Sequence, residues 1–158
     1  MSMNINQVYI ANPSTSLPGT ALIYAGLSPF GAGNDTAILV SNLLLQIPGA
    51  TVTNVTGAAQ NLAPNQNYIS NRATLITFAL PAAAAIGTII EIAGLGAGGW
   101  IISQGAGQQI LIGSSATTSG AGGSLASTNR YDTIRLMCVT ANTIFTVLSG
   151  VTTGFTIV

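Results

Sequence analysis

The side chains able to do acid, base or ionic chemistry in these 158 residues are few: Arg72, Arg130, Arg135, Asp35, Glu91 and Asp132, with one cysteine, Cys138, and no histidine. A serine or cysteine nucleophile needs an adjacent base, and without histidine the usual one is missing. Hydrolysis by a carboxylate pair would fall to Glu91 and Asp132. Each of these has a candidate arginine partner, Arg135 or Arg130, so all four are expected to be structural ion pairs that orient strands or cross a subunit boundary. Leaving such a charge buried and unpaired costs about 3–5 kcal/mol, whereas an exposed pair contributes at most about 1 kcal/mol. No catalytic residue, cofactor or metal site is expected, since metal sites need clustered histidines, cysteines or carboxylates. Cys138 sits in the apolar run Leu136-Met137-Cys138-Val139 and is read as a small core residue.

Neutral groups leave one binding chemistry open. Trp100 and Tyr131 are candidate stacking surfaces for a sugar ring, with Gln104 and Asn129 as hydrogen-bonding partners. The commoner fate of a lone tryptophan after glycines is packing in a core or interface. The run Gly94-Leu95-Gly96-Ala97-Gly98-Gly99 resembles a phosphate-cradling loop only in its glycines. No Lys, Ser or Thr follows where such a loop needs them, and Trp100 opens another strand rather than a helix.

Composition narrows the classes further. Charged residues make up 4% of the chain, against about 25% in ordinary soluble domains. A folded monomer of this mass exposes roughly 7,300 Å², too much surface for six charges to keep apart from its neighbours, so self-association is expected. Net charge is zero with three arginines, which provides no electrostatic footprint for nucleic acid. Mean hydropathy is +0.59, but the most apolar window, 78–102, is broken by Pro81, Glu91 and several glycines, unlike a membrane-spanning helix. Met1 to Gln7 has neither the basic nor the apolar region of a secretory signal, and no membrane insertion is expected.

Turn residues recur every eight to twelve positions, between segments rich in Val, Ile, Thr and aromatics. This spacing predicts an all-β fold, an antiparallel β-sandwich or jelly-roll-like module. Strands are expected at 7–11, 21–26, 36–40, 51–56, 73–80, 88–93, 100–104, 109–113, 133–140, 144–149 and 154–158. Alternation along 133–140 places Ile134, Leu136 and Cys138 on a core face. The opposite face, with Thr133, Arg135, Met137 and Val139, is only half polar, as if it met a partner. One short helix is expected, capped by Ser41-Asn42 and ended by Pro48-Gly49. Residues 1–50 then read as an N-terminal arm or attachment region, 51–67 as a Pro/Gly/Asn-rich linker, and 68–158 as the β module. The Gly/Ser-rich stretch 114–127 is either a flexible loop or a tight edge where neighbouring chains approach closely.

Several strings in the second part carry a family likeness: Asn67-Tyr68-Ile69, Thr74 to Pro81, Ile86-Gly87-Thr88, Gly94 to Trp100 with Ile102 and Gln104, Gly107 to Ile110, Ser124 to Thr128, Tyr131-Asp132 and Cys138 to Asn142. Together they resemble a β-rich C-terminal module that recurs in tail-fibre-like proteins of phages and prophages and in bacterial surface proteins. Pro18 to Tyr24 and Asp35 to Leu44 are similar to a short unit that often precedes such modules. The resemblance implies trimeric or otherwise repetitive β assemblies and supplies no catalytic residue. The resulting expectation is a non-enzymatic, self-assembling structural protein of a phage appendage (tail fibre, spike or decoration) or an extracellular filament. Its partners would be copies of itself, as a trimer or helical filament, in a virion or at the cell surface. The alternative is a receptor- or glycan-binding module that meets a cell-surface glycan.

Overall fold

A computed structural model describes strands β1 (Leu22–Gly26) and β2 (Asp35–Leu39) and residues 51–158. The chain divides into two compact units, Met1–Leu44 and Leu45–Val158. In the first, β1 and β2 pair antiparallel from Leu22↔Leu39 to Gly26↔Asp35, which are the strands expected at 21–26 and 36–40. The strand expected at 7–11, the short helix and the rest of the arm lie outside the described residues.

The second unit holds two sheets. The large sheet has the order β10 (Ser115–Ala116), β9 (Gln109–Ile112), β13 (Ile144–Val151), β12 (Thr133–Thr140), β7 (Ile89–Gly94), β5 (Asn67–Ser70), β3 (Val52–Val55). The small sheet runs β14 (Phe155–Ile157), β11 (Ser124–Ser127), β8 (Trp100–Ser103), β6 (Ile76–Ala79), β4 (Ala59–Asn61). The described residues are all-β, as their β-branched segments and regular turns predict.

Strand direction corrects the expectation of an antiparallel fold, because both sheets are mixed. From β3 to β8 the chain alternates between sheets: β3, β5 and β7 lie parallel in one and β4, β6 and β8 parallel in the other. Parallel neighbours cannot be joined by a tight hairpin and need a crossover. Here the crossover for each sheet is the strand it sends through the other, so this half of the unit is a coil. Antiparallel pairing begins where β12 joins β7 and β13, and β11 joins β8 and β14.

The segment read as a linker, 51–67, is also corrected, since it contains β3 and β4 and reaches the first residue of β5. Its strands are the outermost of the two sheets and need few apolar residues. Only Val55 in β3 and Leu62 after β4 are buried there; β3 is the strand expected at 51–56, whereas Asn, Gln and Pro around β4 hide that strand in the composition.

One hydrophobic cluster joins the inward positions of both sheets, Ile90, Ile92, Ile134, Leu136, Cys138 and Phe145 from the large sheet with Ile76, Phe78, Trp100, Ile102 and Leu125 from the small. Trp100 is fully buried, and its ring lies 5.8 Å from that of Phe155. Tyr68 meets Phe78 edge to face at 5.8 Å, the geometry favoured by aromatic quadrupoles.

Successive turns of the coil touch backbone to backbone. Leu95 and Gly96 N–H donate to the Ser70 carbonyl, and Gly98 N–H donates to that of Arg72. The Ser70 hydroxyl in turn donates to the Gly99 carbonyl at 3.0 Å. A Cβ on Gly96 would lie 2.2 Å from the Arg72 amide nitrogen, and one on Gly98 would lie 2.0 Å from the Thr74 carbonyl carbon. Both neighbours are main chain that cannot swing aside, so the glycine run is a stacking surface between turns of the coil rather than a phosphate loop. The Gly98→Ala variant is expected to lose about 3 kcal/mol by overpacking. In the same thermal-denaturation series Gly122→Ala, whose Cβ meets nothing within 4 Å, should melt with the native protein.

Candidate functional site

The outer face of the large sheet carries the described groups with unused hydrogen-bonding capacity. Strand register aligns Val52, Asn67, Glu91, Arg135 and Ser149 in one row across β3, β5, β7, β12 and β13. A second row, Asn54, Ile69, Ala93, Thr133 and Val151, runs beside it. At about 4.8 Å per strand, each row spans about 19 Å. Between them lies a groove of about 420 Å³ that Asn67, Glu91, Arg135, Thr133 and Ser149 line together with Val52, Ile69, Ala93 and Val151.

A β-bulge brings β13 into this face. Phe145 and Val147 point to the core, so simple alternation would turn Ser149 and Val151 inward as well. The register shift between Arg135 and Leu136 inserts one residue, pairing Leu136 with Val147 but Arg135 with Ser149. Beyond it Ser149 and Val151 face solvent, and Gly150 takes the inward position. A Cβ on Gly150 would lie 2.9 Å from the Phe155 ring, so glycine lets the bulged strand close over that ring. Bulges re-aim side chains in this way.

Glu91 and Arg135 meet across β7 and β12, with Arg135 Nε 2.9 Å from Glu91 Oε1 and both side chains roughly 40–46% exposed. A pair this wet contributes at most about 1 kcal/mol. The β7–β12 register rests instead on the inward pairs Ile92↔Ile134 and Ile90↔Leu136. Among the described residues Arg135 spends only Nε on Glu91, and the Asn67 amide and Ser149 hydroxyl have no side-chain hydrogen bond.

Asp132 and Arg130 do not pair, which corrects the expectation of a second ion pair. Asp132 is buried, and its Oδ2 accepts the Thr128 and Asn129 N–H groups at 2.8 Å each and the Thr128 hydroxyl at 3.4 Å. Its carbonyl accepts the Trp100 indole N–H at 2.9 Å and the Gly94 N–H at 3.0 Å. One residue thus closes the 128–132 turn and ties the buried indole to the strand entering β12. Arg130 donates through Nε to the Leu95 carbonyl at 2.9 Å, and its guanidinium lies 5.0 Å from the centre of the Tyr131 ring.

The proposed stacking platform does not form. Trp100 is enclosed in the core, and Gln104, 6% exposed, gives its amide N–H groups to the Gln108 carbonyl at 2.6 Å and the Thr118 carbonyl at 3.0 Å. Thr117 donates to Gln104 Oε1. Gln104 therefore organises the 105–120 loops rather than meeting a ligand. Tyr131 is 62% exposed, and Asn129 beside it donates to Thr128 and Thr153 hydroxyls at 3.0 and 2.8 Å. The Gly/Ser-rich stretch 114–127 contributes β10 and β11, and its tight approach is within the chain, where a Cβ on Gly123 would lie 1.9 Å from the Thr118 carbonyl oxygen. Cys138 is a buried free thiol.

Asn67, Thr133 and Ser149 were not singled out by sequence. Alternation along 133–140 does place Thr133 and Arg135 on one outward face, a usable signal. Ser149 had none, because the bulge reverses its side. Among the described residues no group of His, Cys, Asp or Glu is placed to hold a metal ion, and no helix is long and apolar enough to cross a membrane. Compared with known proteins, the chain matches no family model and no curated sequence.

The fold perturbs the titration of Tyr68. Burial pushes its phenol above the ordinary tyrosine value, partly opposed by the Ala63 N–H that donates to its oxygen at 2.6 Å. The unfolded chain therefore loses this proton first as pH rises. Tyr68 contributes stability that is full below the ordinary tyrosine pKa and is lost as pH climbs through the raised folded value. In alkaline denaturation followed by circular dichroism, Tyr68→Phe, which has no proton to lose, should flatten this decline. A second series separates the two carboxylates. Asp132→Ala leaves the Thr128 and Asn129 N–H groups without their acceptor and should cost about 1–3 kcal/mol, while Glu91→Gln and Arg135→Met should each cost less than about 1 kcal/mol in thermal denaturation.

Proposed function

We propose that the chain is a non-enzymatic structural protein that assembles with copies of itself, in a virion appendage such as a tail fibre, spike or decoration, or in an extracellular filament. In this reading the two mixed sheets form a β-sandwich module, and residues 1–50 serve as an arm reaching a neighbouring copy. The observation that carries it is the sheet edge formed by β3 and β4. These are the outermost strands of both sheets at one end, and no charged residue occurs from Thr51 to Asn71.

Exposed strand edges are normally guarded by lysine, proline or a bulge, because unpaired N–H and C=O groups recruit other strands. Thr51 and Val55 carbonyls accept N–H groups of Asn67 and Asn71 on the β5 side. Alternation then turns the backbone groups of Val52 and Asn54 outward, where no strand among the described residues pairs with them. An uncharged edge also suits pairing between identical copies, where any charge would meet its own like. The low charge of the whole chain supports the same reading, as does the exposure of Leu75 and Ile86.

Light scattering and negative-stain micrographs at micromolar concentration should show regular polymers or discrete multi-copy particles. Asn54→Lys, which guards the edge without touching the core, should shift the distribution to smaller species. A folded monomer of the native chain overturns the reading.

A further inference from the structure

We propose that the groove on the outer face of the large sheet binds a neutral polyhydroxylated chain, an oligosaccharide, laid across the strands. Its polar row offers a carboxylate that only accepts hydrogen bonds, Glu91, and a guanidinium that only donates, Arg135. An amide and a hydroxyl that do both, Asn67 and Ser149, flank this pair. The ligand facing them must donate and accept at neighbouring positions, which is what a sugar hydroxyl does and an apolar or purely anionic group does not.

Charge selects the same class. With Glu91 and Arg135 2.9 Å apart, their fields cancel over the groove, so neither an acidic nor a basic ligand gains net attraction. Unused capacity points the same way: among the described residues the remaining Arg135 donors, the second Glu91 oxygen, the Asn67 amide and the Ser149 hydroxyl have no protein partner and face solvent. Beside this polar row, Ile69 and Ala93 form an apolar rail that continues to Val151 past the Thr133 hydroxyl. A pyranose ring is amphipathic in the matching sense, with hydroxyls at its rim and C–H groups on its faces.

The direction of the ligand follows from the register. The polar positions repeat once per strand, at about 4.8 Å, so a linear ligand meets them in turn only by running across the strands. A peptide is disfavoured because strand recognition uses the backbone groups of an edge, and in the middle of the sheet those groups are spent on neighbouring strands. The polar groups of the site lie on β5, β7, β12 and β13 rather than on the β3–β4 edge, and the site does not depend on assembly.

The test is a printed array of neutral oligosaccharides, oligosaccharides bearing uronic or sialic acids, and short neutral peptides, probed with the full chain. The best neutral saccharide is then titrated in solution. Native protein should be retained on neutral saccharide spots. Arg135→Gln and Ser149→Val should each weaken solution binding at least tenfold, with melting temperature and particle size unchanged. Should Arg135→Gln fold poorly, the exposed Ser149→Val decides alone. The proposal is overturned if no neutral saccharide is retained, if only acidic saccharides or peptides are, or if both variants bind as the native chain does. It is equally overturned if Arg135→Gln alters particle size, because the groove would then be a contact between copies.

Discussion

Backbone contact between successive turns of the coil is the constraint on which the rest of the unit depends. Gly96 and Gly98 let the turn after β7 lie directly on the main chain of Arg72 and Thr74, and the N–H groups of Leu95, Gly96 and Gly98 are satisfied there. That contact sets the spacing of β5 on β7 and of β6 on β8. Once these parallel ladders are in register, Tyr68, Ile92 and Ile134 fall on the inside, and Asn67, Glu91 and Arg135 on the outside. A larger residue at either glycine would push the turns apart and strain the register that both the core and the outer row depend on.

With so few charges, the unit satisfies its buried polar groups by neutral or main-chain partners. Every buried side-chain nitrogen and oxygen among the described residues has a hydrogen-bond partner. Gln104 ties the segments at Gln108 and at Thr117-Thr118 together through one amide, and Asp132 serves both as turn acceptor and as the anchor of the Trp100 indole. A buried carboxylate stabilised by two main-chain N–H groups needs no arginine, which leaves Arg130 free to lie over Tyr131. The ion pair that does form, Glu91–Arg135, is wet and contributes little to stability. Its consequence is local: it puts a donor and an acceptor side by side on a face with no net charge.

The two proposals use different parts of the same architecture. Assembly draws on the uncharged edge of β3 and β4, whose outward main-chain groups pair with no strand among the described residues. Saccharide binding draws on the middle of the large sheet, where the main chain is spent and only side chains remain. The β13 bulge separates the second role from ordinary sheet packing, because without it Ser149 and Val151 would belong to the core side and the groove would lose one wall.

Legibility in the sequence followed what each property depends on. Scarcity of charge, absence of histidine and the alternation of Ile134, Leu136 and Cys138 are local or compositional, so they sufficed for an all-β fold with Cys138 inside and for the strands around 88–93, 100–104 and 133–140. Of the two edge strands in 51–67, β3 met the strand expected at 51–56, and β4 escaped, because an outermost strand that buries none of its residues leaves no apolar pattern. Whether neighbouring strands run parallel, whether Asp132 faces an arginine or a turn, whether Trp100 is a surface or a core, and on which side of β13 Ser149 emerges were decided only by the tertiary structure. Each depends on which distant segment lies alongside, and a β-strand carries the same period-two pattern whatever its neighbour or direction.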